Sequence, residues 1–314
     1  MKIRPGYLIC LLFLSIVFPF FFFGGPGYYA IRSFKAVWNL GHILFFSVVS
    51  VGICGISCSR DSCRKPVHVF QQVFLVVFMF GLMVEFLQMY TNGRSPDVFD
   101  VLRNQLGALI GFVFFCSVRQ KLNPLVLRRL QAGVILFLLC FIWPLARAVI
   151  DERQAVAQFP LLSDFETRFE VRRWKNIHQL ARVDRPVRHG AGSLRVQLST
   201  KKYSGISLFY FPHDWSGYQW LNFSVYNPMD TELSLHSRIH DRLHRQHGRV
   251  FKDRFHQQFT LHSGWNDLRI SLDAVRQSPA GREMSMHEIE GFGIFVVRQT
   301  RPLVIYLDHV FLNN

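Results

Sequence analysis

Residues 85–111 read EFLQMYTNGRSPDVFDVLRNQLGALIG. The stretch sets Glu85, Gln88, Arg94, Asp97, Asp100, Arg103 and Asn104 between two long apolar runs. A charge at the centre of a bilayer costs about 2.5–3.5 kcal/mol on insertion scales, so ionisable groups at the ends of apolar helices mark a site with a use. Glu85 and Gln88 are three apart and share one helix face. After Thr91-Asn92-Gly93, the run Ser95-Pro96-Asp97 reads as a helix start, with proline in the first turn and Ser or Asp as a cap. Asp100, Asn104, Gly107 and Gly111 then recur at helical spacing as a single stripe. The glycine pair is a small-xxx-small pattern that lets another helix come close. This stripe is expected to face Glu85 and Gln88, with Arg94 as counter-charge and His42 approaching from the second span. His42, Glu85, Gln88, Arg94, Asp97, Asp100 and Asn104 are therefore the candidate substrate-binding set, and Gly107 and Gly111 the helix-packing pair. A plainer role stands beside this one. Asp97 and Asp100 can cap a helix for under about 1 kcal/mol each, and Glu85 can pair with Arg94 or Arg103.

Around this stretch the 314-residue chain falls into two unlike halves. Residues 1–150 carry all six cysteines, with fourteen basic and four acidic residues. Residues 151–314 carry eleven of the thirteen histidines and no cysteine, with twenty-two basic and seventeen acidic residues. The first half offers about five transmembrane helices: Tyr7–Phe23, Trp38–Ile56, Val69–Tyr90, Val98–Val118 and Ala132–Ile150. Each is near the ~20 residues that cross a bilayer core. The basic excess sits in short loops, a pattern of membrane orientation and not of a nucleic-acid face. With the N-terminus inside, nine basic residues lie in cytoplasmic segments and four in the opposite loops. That orientation puts the chain in the cytoplasmic (inner) membrane with its C-terminal half extracytoplasmic. Cys58, Cys63 and His68 lack a fourth ligand for zinc and read as reduced cytoplasmic thiols plus a histidine.

The pattern Glu85-x-x-Gln88, Arg94-x-x-Asp97-x-x-Asp100, Asn104, Gly107 and Gly111, preceded by a helix bearing His42, resembles the VanZ-like family over roughly residues 5–150. The family consists of small bacterial membrane proteins, named for a member linked to teicoplanin resistance. The resemblance implies an envelope-associated membrane protein, and it supplies no reaction. One departure is visible, since Trp38-Asn39 stand where an aspartate often precedes the histidine.

Asp151 to about Leu162 reads as a linker. Beyond it, eight short β-rich segments recur: Ser193–Ser199, Gly205–Phe211, Trp220–Asn227, Glu232–Asp241, Arg254–Leu261, Trp265–Leu272, Phe292–Val297 and Val304–Leu312. Turn signals such as Asn227-Pro228 and Ser263-Gly264 separate them. The spacing predicts an all-β jelly roll or β-sandwich over 163–314, following a membrane all-α bundle over 1–150. His236 and His240 are expected to face outward from a strand, and His244 and His247 to lie in a solvated basic loop. The motifs Asp164-Phe165-Glu166, Gly190-x-Gly192-Ser193-Leu194, Val225-Tyr226-Asn227-Pro228, Gly264-Trp265-Asn266 and Ile305-Tyr306-Leu307-Asp308 resemble carbohydrate-binding modules of the galactose-binding type. This resemblance implies glycan binding through flat aromatic rings, for which Trp174, Trp215, Tyr218 and Trp220 are candidates. It also implies pairing of the first and last strands, which would bring Asp164 or Glu166 near Asp308 as ligands for a structural calcium. Core packing and a salt bridge or cap are the plainer roles for these groups.

Three function classes follow. The leading one is a non-catalytic envelope protein that lies in the lipid bilayer and handles a lipid-linked or cell-wall glycan component. A membrane enzyme with Glu85, Asp97 or Asp100 as acid or base is the second, and a scaffold whose sandwich docks a partner protein is the third. No P-loop, dinucleotide fingerprint or Ser-His-Asp order is present, no cofactor beyond the calcium is implied, and nucleic acid is not expected as a partner.

Overall fold

Away from water every backbone N–H and C=O must find a partner within its own segment, so long apolar runs become helices. The computed structural model describes residues 5–27, 29–58, 65–91, 97–119, 121–176 and 179–314. Its helices are α1 (Pro5–Val17), α2 (Arg32–Ser57), α3 (Pro66–Gln88), α4 (Val98–Arg119) and α5 (Pro124–Gln158). The chain divides into two units, Met1–Ala148 and Val149–Asn314.

Among the described residues, four helices, α2 to α5, are long and apolar enough to cross a bilayer. The first apolar run, expected to be a span, forms α1 and a 3-10 turn, Phe18–Phe21, that follows it directly. It stops where Gly24 and Gly25 adopt left-handed φ values of 73° and 89°, which side chains disfavour. Large apolar side chains such as Leu75, Met79, Phe114, Ile135 and Phe137 are exposed on α3, α4 and α5. Water penalises such faces and hydrocarbon does not, so they fit a lipid surround.

Polar caps and small residues position the helices of the first unit. Asp97 Oδ1 accepts from Phe99 N at 2.9 Å and so caps α4. Asn123 does the same for α5 through Leu125 N at 2.9 Å. Gly107 and Gly111 lie against α2: a Cβ on Gly107 would meet Ile43 O at 2.5 Å, and one on Gly111 would meet Ser47 O and Ser50 Cβ. Ser50 Oγ donates to Ala108 O at 2.7 Å across the same contact. Phe45, Phe46, Val73, Val77, Val84, Ala108 and Phe112 fill the core beneath it. Cys10, Cys54, Cys116 and Cys140 are free thiols. Cys58 is disulfide-bonded, which corrects its reading as a reduced thiol, and Cys63 lies outside the described residues.

The second unit is a two-sheet antiparallel sandwich, as the alternation predicts. Its strands are β1 (Leu161–Ser163), β2 (Trp174–Lys175), β3 (Leu180–Val183), β4 (Ser193–Leu198), β5 (Tyr203–Leu208), β6 (Trp220–Asn227), β7 (Leu233–Asp241), β8 (Phe255–Leu261), β9 (Gly264–Ser271), β10 (Ile289–Val297) and β11 (Leu303–Asn313). One sheet runs β3-β4-β11-β6-β9, with β1 also on β11, and the other runs β2-β5-β10-β7-β8. Leu194, Val196, Ile206, Leu221, Phe223, Phe292 and Ile305 pack between them. Two short helices, α6 (Arg242–Gln246) and α7 (Leu272–Arg276), follow β7 and β9.

The expected linker from Asp151 is not coil. α5 continues to Gln158, because Asp151 finds a partner there. Arg173 donates to Asp151 Oδ1 from Nε at 3.0 Å and from the guanidinium at 2.9 Å, and both side chains are fully buried. A buried ion pair of this kind holds the helix end in register with the sandwich, since breaking it strands a charge.

Candidate functional site

Three helices bring one polar cluster together in the first unit. α2 supplies His42, the C-terminal end of α3 supplies Glu85 and Gln88, and the first turns of α4 supply Asp97, Asp100, Arg103 and Asn104. His42 Nδ1 lies 2.9 Å from Asn104 Oδ1, and its Nε2 lies 3.5 Å from Asp100 Oδ2. Asp97 N donates to Glu85 Oε2 at 2.9 Å, so the end of α3 receives an otherwise orphaned N–H at the start of α4. Arg103 donates to Asp97 Oδ2 at 3.3 Å and also pairs with Asp100 Oδ1. Gln88 turns toward the first helix and donates to Phe21 O at 2.9 Å. The Phe21 ring meets the His42 ring edge-on at 4.7 Å. Beside His42 and Gln88 opens a cavity of about 280 Å³, otherwise lined by apolar groups including Val17, Phe20, Val37 and Trp38.

His42, Glu85, Asp97, Asp100 and Asn104 thus come together, Gln88 sits at the edge facing the cavity, and Arg94 lies outside the described residues. Arg103, read from the sequence only as an ion-pair partner for Glu85, bridges two aspartates instead. Its place three residues after Asp100 is the signal that pointed there. Phe21 had no such signal, because an aromatic in an apolar run looks like every other one.

The sandwich corrects the glycan candidates. Trp174 is 2% exposed and Trp215 is 0% exposed, both inside the core, so neither can stack on a sugar. Tyr218 packs edge-on against Phe159 at 5.4 Å. Arg269 covers one face of the half-buried Trp220 at 3.5 Å. The calcium expectation also fails. Both carboxylate oxygens of Asp308 are committed to backbone donors, Arg188 N at 2.7 Å, His189 N at 3.0 Å and His309 N at 2.7 Å. Glu166 accepts from Ala191 N at 2.7 Å and fastens the same loop. His240 does not face outward; it is buried beside His244, while His244 and His247 pair with Asp253 at 3.3 and 3.5 Å.

A different surface of the sandwich has the make-up of a binding face. On the β2-β5-β10-β7-β8 sheet, Asn176, Tyr203, Ser207, Arg238, Arg254 and Phe295 line an open pocket of about 340 Å³. Arg238 donates to Ser207 Oγ at 3.2 Å. Arg254 Nε is buried without a hydrogen-bond partner. Burial first, then the charge of Arg238, lowers the Arg254 pKa. Two guanidiniums held this close favour an anion between them. Sequence alternation shows Arg238 leaving the core face of β7, but which neighbours it meets depends on β8 and β10.

None of the curated proteins compared with the chain matches it at a significant level. Solved structures similar to the second unit include a Family 11 carbohydrate-binding module from Clostridium thermocellum in complex with a beta-1,3-1,4-mixed-linked tetrasaccharide. It is 15% identical over 49% of this chain and 94% of that one, with a TM-score of 0.37. A carbohydrate-binding module specific for non-crystalline cellulose is 8% identical over 50% of this chain and 93% of that one, with a TM-score of 0.35. An exo-beta-agarase is 10% identical over 43% of this chain and 22% of that one, with a TM-score of 0.32. The sandwich itself stands on its own strand pairing. In the helical unit, residues 7–119 match the family described as VanZ/LLP1, and this part of the chain is a VanZ-like domain.

Proposed function

We propose that this is a multi-pass protein of the bacterial cytoplasmic membrane whose sandwich, on the extracytoplasmic side, binds an envelope glycan bearing anionic groups. The observation that carries this reading is the pocket of Tyr203, Phe295, Arg238 and Arg254. Rings of this kind pack on the C–H faces of sugars, and paired guanidiniums take phosphate or carboxylate oxygens. The helical unit contributes a lipid-facing cavity with a polar edge at His42 and Gln88, which suits the chain and head of a lipid-linked precursor. Glycopeptide resistance of the teicoplanin type would follow if that precursor is the drug's target.

The full chain in nanodiscs, titrated with phosphate-bearing and neutral envelope polysaccharides, tests the reading. Binding of the anionic polymer is expected, weakened about tenfold or more by Arg254→Ala, since a hydrogen bond to a charged group contributes about 1.5–3 kcal/mol. Equal affinity for neutral polymer, or an Arg254→Ala chain that binds unchanged, would overturn it.

A further inference from the structure

We propose that His42, Glu85 and Asp100 bind a divalent transition-metal ion, with zinc and manganese as the ions that suit their donors. A ring nitrogen of His42 and one carboxylate oxygen each from Glu85 and Asp100 lie within 4.8 Å of one another, and all three side chains are buried. Two ligands held ~2.1 Å from a tetrahedral ion stand about 3.4 Å apart. The His42 Nε2 to Asp100 Oδ2 separation is 3.5 Å, so that pair already has the spacing an ion requires.

Three further observations point to a cation. Glu85 is 6% exposed, and its Oε1 has no hydrogen-bond partner. A buried carboxylate oxygen without a donor is costly unless a positive charge reaches it. Second, Asn104 Oδ1 lies 2.9 Å from His42 Nδ1. With Nδ1 as donor, the neutral ring presents the Nε2 lone pair toward Asp100, the arrangement in which an outer partner orients a metal-binding histidine. Third, Arg103 and the α4 N-terminus occupy the oxygens left over: Arg103 takes Asp100 Oδ1, and Asp97 N takes Glu85 Oε2. Each ligand is therefore held from behind while another atom faces its neighbours.

One nitrogen and two oxygens match zinc or manganese better than copper(I), which prefers sulfur, or calcium, which takes six to eight oxygens. Three protein ligands leave an open position for water or an added ligand. His42 borders both this cluster and the apolar cavity. The site is independent of glycan binding by the sandwich, whose failure would leave metal uptake unchanged.

The experiment uses the full chain purified in detergent and stripped with a chelator. Zinc is titrated by calorimetry and manganese by paramagnetic resonance. One ion per chain is expected, with affinity falling tenfold or more in Glu85→Gln and in His42→Gln. In the exposed control His247→Gln it should not change. No stoichiometric uptake by the stripped chain, or a loss in His247→Gln equal to that in Glu85→Gln, would overturn the proposal. Zinc-edge absorption of the wild-type chain needs no variant: a shell of nitrogen and oxygen supports the site, and sulfur in the shell refutes it.

Discussion

His240 shows how the fold resets a single side chain. It is buried on β7, where a Cβ on Gly291 would come within 2.6 Å of its ring. Burial first, then the charges of His244, Arg238 and Arg254, lower its pKa to about 3 from an ordinary 6.5, against a smaller upward pull from Asp241. Between those values the unfolded chain binds a proton that the folded one does not. Stability should therefore fall as pH drops below about 6.5 and go on falling toward pH 3. Burial lowers His213, His244, His256 and His309 in the same direction. Asp253, held down to about 2 chiefly by its hydrogen bonds to Arg282, loses its contribution only as pH falls from about 4 through 2. Melts of the full chain followed by fluorescence of the buried Trp174 and Trp215 should show a lower midpoint at pH 5 than at pH 7. His240→Gln should flatten that slope, and a wild-type midpoint constant across this range would contradict the assignment. At this scale the polar residues of 85–104 were legible from their contrast with apolar flanks. The buried Trp174 and Trp215 were not, because a tryptophan reads the same whether its ring meets a core or a sugar.

Among the secondary elements, the segment after β7 depends on a clamp that joins three places in the chain. Arg282 donates to Asp241 at 2.6 and 2.9 Å and to Asp253 at 2.6 and 2.9 Å. Asp241 also accepts from His244 N at 3.1 Å and Ser285 N at 2.8 Å, which caps α6 and ties down the chain that leads to β10. Arg282→Met should destabilise the sandwich by about 3–5 kcal/mol, because it leaves two poorly solvated carboxylates facing each other. Adding Asp253→Asn to Arg282→Met should recover part of that loss, and strict additivity of the two changes in a double-mutant cycle would show that no clamp exists. The eight β-rich segments read in the sequence fall on β4 to β11, whose burial follows the period of two that strands impose. The two-residue β2 and three-residue β1 are too short to show a period. The continuation of α5 past Asp151 was hidden because its stabilising partner, Arg173, lies twenty-two residues further on.

At the scale of the whole molecule, the proposed function depends on the side of the membrane that the sandwich occupies. The orientation expected from short-loop charges has the α2–α3 connection inside and, with α2 to α5 crossing, the C-terminus outside. The disulfide at Cys58 pulls the other way, since disulfides are rare in the cytosol. The proposed function requires the first arrangement. A periplasm-active reporter fused after Asn314 should be active, and a cytosol-active one silent; the reverse result would remove the sandwich from the envelope polymer. Hydropathy, loop charge and alternation were enough to read a helical membrane unit followed by a β-sandwich, because those patterns record which faces avoid water, and neighbours in sequence share them. The cluster of His42, Glu85, Asp100, Arg103 and Asn104, the exclusion of two tryptophans from binding and the guanidinium pocket on the second sheet all came from the packing of distant segments. Such contacts depend on which helix meets which, and on which strand pairs with which, and local periodicity carries no record of either.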